Sequence, residues 1–160
     1  MRNYLLLFTS IFLLISCSES PNLKFNGSDI TEAKLNPSFE LTSHLGKITN
    51  IGDFSGKVAA IFFGFTHCPD VCPTTMYELK AVKDALGSDG DKLQVIFVSL
   101  DPERDNIRLL EKFIPSFDSS FIGLTGTAAD IKKWLDNIKY IIRKLETIKI
   151  IQLIILQLSI

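Results

Sequence analysis

Cys68 and Cys72 are separated by three residues, and their side chains are the clearest candidates for chemistry in this sequence. Deprotonated cysteine sulfurs are soft ligands, and among first-row metals such ligands select Cu(I). Three intervening residues let both sulfurs approach one soft ion, or each other. The pair could also work as a redox dithiol, although redox motifs of that kind have two intervening residues rather than three.

Five further residues have side chains that could take part in chemistry with these cysteines. His67 is placed at the edge of the site, because neighbouring side chains of a strand point to opposite faces. His44 lies in a turn and is expected to be solvated. Met76 is soft enough for a metal, but it fits the apolar stripe of a helix and is predicted to be core. Asp101 and Arg104 follow a strand and are predicted to pair, shaping the loop beside the site.

The elements around the cysteines form a strand, a helix and a second strand. Residues 58–65 are a continuous apolar run, typical of a strand buried on both faces of a parallel sheet. Pro73 suits the first turn of a helix, which an apolar periodicity carries to Gly87. Residues 93–100 predict the second strand. The cysteines would then lie at the carboxyl end of a parallel strand and beside a helix N-terminus, whose dipole favours thiolate.

The remaining pattern predicts a single α/β domain with a mostly parallel sheet. Residues 39–42 and 47–51 indicate a hairpin, residues 107–113 begin another helix, residues 121–126 are a short strand and turn, and a third helix opens at Thr127. The chain has 160 residues, of which 46% are apolar, enough for one domain with a core. A net charge of −1 gives no electrostatic surface for nucleic acid. Three cysteines are too few for a disulfide-built scaffold.

The first 36 residues are interpreted as a processing signal and a tether. Residues 4–15 are an apolar run of signal-peptide length, and the small Ser16 before Cys17 resembles a bacterial lipoprotein cleavage box. Residues 1–16 would be removed, Cys17 would carry lipid, and the polar residues 17–36 would be a tether. The alternative is an ordinary signal peptide with an incidental cysteine. Both predict export, and lipidation predicts a membrane anchor on the periplasmic or extracytoplasmic side.

The segments FFGFTHCPDVCPTTM, FVSLDPERD and FIGLTG are similar to the Sco/SenC family of copper-handling, thioredoxin-fold proteins. The resemblance runs from about Phe39 through Lys133, and it implies a thioredoxin-like sandwich over residues 37–133. It also implies copper on Cys68 and Cys72 with one distant histidine, and an orienting role for Asp70 in the same loop. The implied partner is the cytochrome c oxidase subunit that carries the copper site.

Residues 134–160 do not match the end of that family, in which an Asp-His pair should follow. No histidine occurs after His67. Joining the last nucleotide of each codon from Lys133 with the first two of the next admits VARQYKVYYSKVGDNKNYSIDHTAAFY, which looks like the missing segment. We therefore predict an out-of-frame tail, an incomplete sheet and poor packing from about Trp134. A divergent C-terminus is the alternative.

The leading functional hypothesis is a membrane-tethered copper chaperone for cytochrome c oxidase assembly. A thiol–disulfide oxidoreductase or redox sensor that uses the Cys68–Cys72 pair is the alternative from a different class. A third possibility is that this chain is a non-functional product. With two sulfurs and no third ligand, the chain is expected to bind Cu(I) well and Cu(II) poorly.

Overall fold

The computed structural model describes residues 39–144 and 153–157, with side chains described for residues 39–136. The strands are β1 (Glu40–Ser43), β2 (Ile48–Asn50), β3 (Val58–Gly64), β4 (Leu93–Ser99), β5 (Ile122–Thr125) and β6 (Leu153–Gln157). The helices are α1 (Val71–Ala85), α2 (Ile107–Phe113) and α3 (Ala128–Lys144), with 3₁₀ turns at Ile51–Phe54, Gly87–Lys92 and Ile114–Ser116. The predicted signal peptide (1–16), the tether (17–36) with Cys17, and residues 145–152 and 158–160 of the tail lie outside the described residues.

The centre of the sheet is parallel. β3 pairs with β4 in register from Val58↔Leu93 to Gly64↔Ser99, and β4 pairs in parallel with β5. The predicted strand–helix–strand unit is therefore confirmed as β3, α1 and β4. Both strands are buried along nearly their whole length, as their continuous apolar sequences predict.

The two faces of this sheet carry separate apolar clusters, since neighbouring side chains of a strand alternate between faces. One cluster joins Phe63 and Ile61 of β3 to Ile131 and Trp134 of α3. The other joins Phe62 of β3 to residues of α1 and α2. Helices on both faces make the domain an α/β sandwich, as predicted.

The edges of the sheet are antiparallel, so the expectation of a mostly parallel sheet holds only for its three central strands. The strand order is β2-β1-β5-β4-β3-β6. β1 pairs antiparallel with β2 and with β5, and β6 pairs antiparallel with β3. The short turn between β1 and β2 imposes the first of these directions, because a tight hairpin joins only antiparallel strands.

The helix α3 crosses the predicted boundary at Lys133 and continues to Lys144. Trp134 is 2% exposed, and its ring centroid lies 4.8 Å from that of Phe39 and 4.9 Å from that of Phe63. The expectation of poor packing from Trp134 is wrong at this residue, because the apolar stripe of α3 carries it into the core. β6 pairs at the edge of the sheet rather than at its centre.

None of the helices in the described ranges has both the length and the apolar character needed to cross a bilayer.

Candidate metal site

The cysteine motif lies where β3 ends and α1 begins. After Gly64 the chain makes a tight turn in which the Cys68 N–H donates to the Phe65 carbonyl at 3.2 Å. α1 starts at Val71, so the motif crosses from the loop into the first turn of the helix. Both cysteines thus occupy the predicted position, at the carboxyl end of a parallel strand beside a helix N-terminus.

Gly64 leaves the space that the second cysteine fills. A Cβ at position 64 would lie 3.0 Å from the Cys72 sulfur and 3.0 Å from ring atoms of both Phe62 and Phe97. Such distances are shorter than ordinary van der Waals contact. The last residue of β3 therefore has no side chain because the sulfur and two aromatic rings already fill that volume.

The structure brings the two sulfurs together without joining them in a disulfide. The Cys72 N–H donates to the Cys68 sulfur at 3.4 Å. Cys68 is partly exposed, whereas Cys72 is 4% exposed. Cys72 is therefore buried inside the apolar cluster of α1 and α2, while Cys68 packs against that cluster and keeps part of its surface in solvent.

These surroundings give the two thiols different proton affinities. The pKa of Cys68 is lowered from 9.0, chiefly by the backbone N–H of Asp70 and then by the Cys72 thiol and amide. Burial raises the pKa of Cys72 to about 11, against a smaller opposite effect of the Phe65 backbone. Cys68 is consequently the easier of the two thiols to ionise, because helix-start N–H groups stabilise its anion.

The donor set near these sulfurs suits a soft, low-coordinate ion. Within residues 39–144 and 153–157, no group of three or more histidine, cysteine or acidic side chains is arranged to hold a metal. Two thiolates are suitable ligands for Cu(I), while Cu(II) prefers a tetragonal set with nitrogen and oxygen. Binding would also release the Cys72 proton, because a thiol must be deprotonated to ligate.

His67 precedes Cys68 in the sequence, and its side chain lies beside Asp105 and Thr66. Its side chain is 52% exposed, and its Nδ1 lies 3.7 Å from Oδ1 of Asp105. The same nitrogen lies 3.0 Å from Oγ1 of Thr66. The ring is thus held by hydroxyl and carboxylate neighbours, which agrees with its predicted position at the edge of the site.

Asp70 contributes through its backbone. It stands at the N-cap position of α1, where its side chain makes no capping hydrogen bond, while its N–H stabilises the Cys68 thiolate. Its carbonyl accepts from the Thr74 N–H at 3.3 Å. An orienting role for the Asp70 carboxylate therefore stays a prediction.

The prediction that His44 is a solvated turn residue is wrong. His44 is 4% exposed, and its Nδ1 accepts a hydrogen bond from the Gly123 N–H at 3.1 Å. Its own N–H donates to the Gly123 carbonyl at 2.7 Å. The residue is buried because β1 pairs with β5, which lies far away in the sequence and closes over the turn.

Two smaller predictions are confirmed. Met76 is fully buried in the same apolar cluster as Cys72, as its place on the helical stripe indicates. Asp101 and Arg104 form an ion pair with two guanidinium contacts after β4.

Asp105 is the residue near the site that the sequence did not reveal. It has no exposed surface, and its carboxylate accepts hydrogen bonds from Thr66 and Ser99. Its position as the last acid of the DPERD segment was the available signal. Nothing in that segment distinguishes a buried carboxylate from an exposed one.

A mixed sheet with helices on both faces, carrying a cysteine pair at a strand–helix junction, defines a thioredoxin-like domain with a dithiol site. The SCO1/SenC family model matches residues 27–149. The chain belongs to the SCO1/SenC family.

Three relatives illustrate the similarity. A SCO2-like protein of Rickettsia felis is 35% identical over 106 residues, which cover 66% of this chain and 52% of the relative. The copper-bound structure of Bradyrhizobium japonicum ScoI is 43% identical, with a TM-score of 0.60 over 64% of this chain and 65% of that one. BsSco, described as a member of the Sco family of cytochrome c oxidase assembly proteins with a disulfide switch, is 25% identical, with a TM-score of 0.52 over 61% and 59%. The match to the Rickettsia protein thus spans about half of that relative's length.

Proposed function

We propose that this chain is a copper chaperone that holds Cu(I) on Cys68 and Cys72 and delivers it to the copper-carrying subunit of cytochrome c oxidase. The observation that carries the proposal is the adjacent pair of unlinked thiols at the start of α1, one of them stabilised as a thiolate by backbone N–H groups. The copper-bound relative and the oxidase-assembly role described for BsSco support it.

The geometry suggests how Cu(I) would be taken up. Cys68 is partly exposed and is the easier thiol to ionise, so it would meet the incoming ion first. Cys72 would then lose its proton and bind from the buried side, since its raised pKa keeps it protonated at neutral pH until a cation arrives. The partner would reach the ion from the exposed side of Cys68.

Anaerobic titration with a chromophoric Cu(I) chelator tests the proposal. The full chain carrying Cys17→Ser is expected to bind one equivalent of Cu(I), and Cys68→Ser or Cys72→Ser in that background should abolish tight binding. Met76→Leu is the matched control, because it changes a buried neighbour of Cys72 at nearly constant volume. Undiminished Cu(I) binding by both serine variants would overturn the proposal.

The same variants separate the alternative activity, an exported thiol–disulfide oxidoreductase or redox sensor. The lowered pKa of Cys68 is the observation that favours it, because the thiolate is the attacking form. Robust reduction of a model disulfide without any Cu(I) uptake would favour this activity over the chaperone.

We further propose that the chain is exported and anchored to a membrane on its periplasmic or extracytoplasmic side by lipid on Cys17. The support is the apolar run of residues 4–15 followed by Ser16 and Cys17. The full chain is expected in the membrane fraction with the mass of an acylated, cleaved product. Cys17→Ser should lose the lipid mass, and an unchanged mass and fractionation would overturn the anchor.

A further inference from the structure

A buried carboxylate fastens the loop that leads into the cysteine motif. Asp105 Oδ2 accepts from the Thr66 N–H at 2.9 Å, and its Oδ1 accepts from the Thr66 hydroxyl at 2.6 Å. Oδ2 also accepts from the Ser99 hydroxyl at 2.7 Å. With no exposed surface, these bonds act in a low-dielectric environment, where charge-assisted hydrogen bonds are strong.

The three partners belong to different parts of the fold. Thr66 lies in the loop after β3, two residues before Cys68, while Ser99 is the last residue of β4. Asp105 lies in the connection between β4 and α2, and its N–H donates to the Asp101 carbonyl at 2.9 Å. The Asp101 N–H in turn donates to the Ser99 hydroxyl at 3.0 Å. One side chain therefore ties the ends of two parallel strands to the loop before the motif.

The hydrogen bonds of Asp105 restrain the loop that carries Cys68 rather than the helix that carries Cys72. α1 holds Cys72 within its first turn, and the apolar cluster below fixes that sulfur. Cys68 lies outside the helix, so its distance from α1 depends on how the preceding residues are held. Thr66 makes two of the three hydrogen bonds to Asp105, one through its backbone and one through its side chain.

We propose that Asp105 is a positioning residue for the cysteine motif, whose carboxylate holds Thr66 so that the Cys68 and Cys72 sulfurs stay at a separation that one Cu(I) ion can bridge. This inference rests on the proposed function. The hydrogen bonds of the Asp105 carboxylate go to Thr66 and Ser99 rather than to a sulfur, and its charge helps to raise the pKa of Cys72. Asp105 acts through Thr66, as residues that orient metal ligands do.

Competition with Cu(I) chelators of graded affinity tests the inference. Asp105→Ala is expected to weaken Cu(I) binding by about 10-fold to 100-fold, the usual cost of removing a residue that orients a ligand. The Cu(I) affinity of Asp105→Asn should lie between those of the wild type and Asp105→Ala. An amide has one oxygen that accepts hydrogen bonds, whereas a carboxylate has two. Thr66→Ser keeps the hydroxyl and should bind like the wild type, whereas Thr66→Val should be weakened with a smaller disturbance of the core.

Asp118→Asn is the matched control. Unlike Asp105 it is only partly buried, but its carboxylate likewise accepts from the N–H and the hydroxyl of one residue, Ser120, at 2.8 Å and 2.6 Å. It lies before β5, at the opposite end of the parallel strands from the cysteines. The control should leave Cu(I) affinity unchanged even where it lowers the free energy of unfolding.

Two readouts separate positioning from a general loss of stability. X-ray absorption should give two copper–sulfur bonds in the wild type and in Asp118→Asn, and fewer in Asp105→Ala. Glutathione redox buffers measure the proximity of the thiols without metal: glutathione disulfide takes two electrons from the pair, giving the Cys68–Cys72 disulfide and two molecules of glutathione. That equilibrium should move toward the dithiol in Asp105→Ala alone.

Equal Cu(I) affinities and equal redox equilibria in the wild type and both Asp105 variants would overturn the positioning role while leaving the proposed function intact. Equal weakening by Asp118→Asn would overturn it too, since the effect would then follow stability. If the wild type bound no Cu(I), the chaperone proposal would fail. The glutathione equilibrium would then decide the positioning role by itself.

Discussion

Cys68 and Cys72 carry the same functional group in different surroundings, so they should react at different pH. With Cys17→Ser in place, alkylation of Cys68 should reach half its maximal rate below pH 9.0, because the Asp70 N–H lowers its pKa. Alkylation of Cys72 should rise only toward pH 11, where its raised pKa lies. Pulsed iodoacetamide labelling with peptide mass spectrometry measures both rates in one sample.

The urea-unfolded chain is the control for this comparison. Without the helix start and the buried cluster, both cysteines should be labelled at similar rates with an ordinary thiol pH dependence. Faster labelling of Cys72 than of Cys68 in the folded chain would contradict the assigned environments.

The buried His44 should make stability depend on pH in the acid range. Burial lowers the pKa of His44 in the folded state below 6.5, the value of an unperturbed histidine. The unfolded chain therefore binds a proton at His44 more readily than the folded chain does. The contribution of His44 is therefore complete above pH 6.5 and is lost as the pH falls below 6.5 toward the folded-state pKa. Urea unfolding between pH 5 and pH 8 measures it.

Replacement of His44 by leucine should remove that pH dependence. It should also cost about 1–3 kcal/mol at pH 7.5, since the buried Gly123 N–H loses its acceptor. His67→Gln is the matched control, because it removes a half-exposed imidazole. This variant should still lose stability as the pH falls below 6.5. A leucine variant with the wild-type pH profile would show that another group causes the effect.

At the scale of residues, the sequence predicted those parts of the site that are local. The two cysteines, the helix start beside them and the Asp101–Arg104 pair all lie within short stretches of chain. His44 and Asp105 were missed because their burial comes from partners elsewhere: Gly123 lies on β5, and Thr66 follows β3. A turn residue and a loop acid look solvated until the strands that cover them are placed.

Gly64 joins strand β3 to the motif, and an alanine there should disturb both stability and the site. The added methyl group would meet the Cys72 sulfur and two aromatic rings at 3.0 Å. We expect a loss of about 1–3 kcal/mol in the free energy of unfolding, typical of overpacking. Cu(I) affinity should fall as well, because the sulfur must move to admit the methyl group.

Gly123→Ala separates these two effects. Its added Cβ would meet Cγ1 of Ile114 at 2.5 Å, so it overpacks the same apolar cluster at Ile114 rather than at the Cys72 sulfur. It should lower stability while leaving Cu(I) affinity unchanged. If Gly64→Ala changed stability alone, the contact with Cys72 would be unimportant for binding.

Among the helices and strands, α3 gives a second prediction, because its Trp134 packs between Phe39 and Phe63. Trp134→Ala should cost about 3–5 kcal/mol, as removal of a large buried aromatic does. Urea unfolding followed by circular dichroism measures it. The half-buried Leu135 supplies a milder comparison in Leu135→Ala. A loss below that of the Leu135 variant would contradict the assigned place of Trp134 in the core.

The elements themselves were predicted well where periodicity is strong. The apolar runs of β3 and β4 and the stripe of α1 follow from the sequence, and so do the hairpin of β1 and β2 and the start of α2. The extent of α3 and the pairing of β6 with β3 did not follow. The segment after Lys133 matched no family pattern, and pairing between distant strands leaves no local signal.

For the whole molecule, the metal it can hold depends on the ligands that the chain supplies. The 160-residue chain is expected to bind Cu(II) weakly, without an intense thiolate-to-copper absorption band, because its described residues add no third suitable donor. On the prediction that the tail is out of frame, a version with the frame restored after Lys133 would contain a further histidine and should bind Cu(II) tightly with that band. Absorption-monitored Cu(II) titration of both chains makes the comparison.

His67 is the residue that would contradict this expectation. Tight Cu(II) binding by the 160-residue chain, abolished by His67→Ala, would make that imidazole a ligand rather than a residue at the edge. Resequencing the gene across the codons of Lys132 and Lys133 decides independently whether the tail is out of frame.

The position of β1 between β2 and β5 has a consequence for the order in which the chain folds. β1 and β2 are adjacent in the sequence and can form early, but an isolated two-stranded hairpin is only marginally stable in water. The hydrogen bond that holds the hairpin against β5, from the Gly123 N–H to Nδ1 of His44, joins residues 79 positions apart. Closing so long a loop is slow, so the hairpin must wait during synthesis until β5 has emerged. Until then one side of β1 stays open to pairing with another chain.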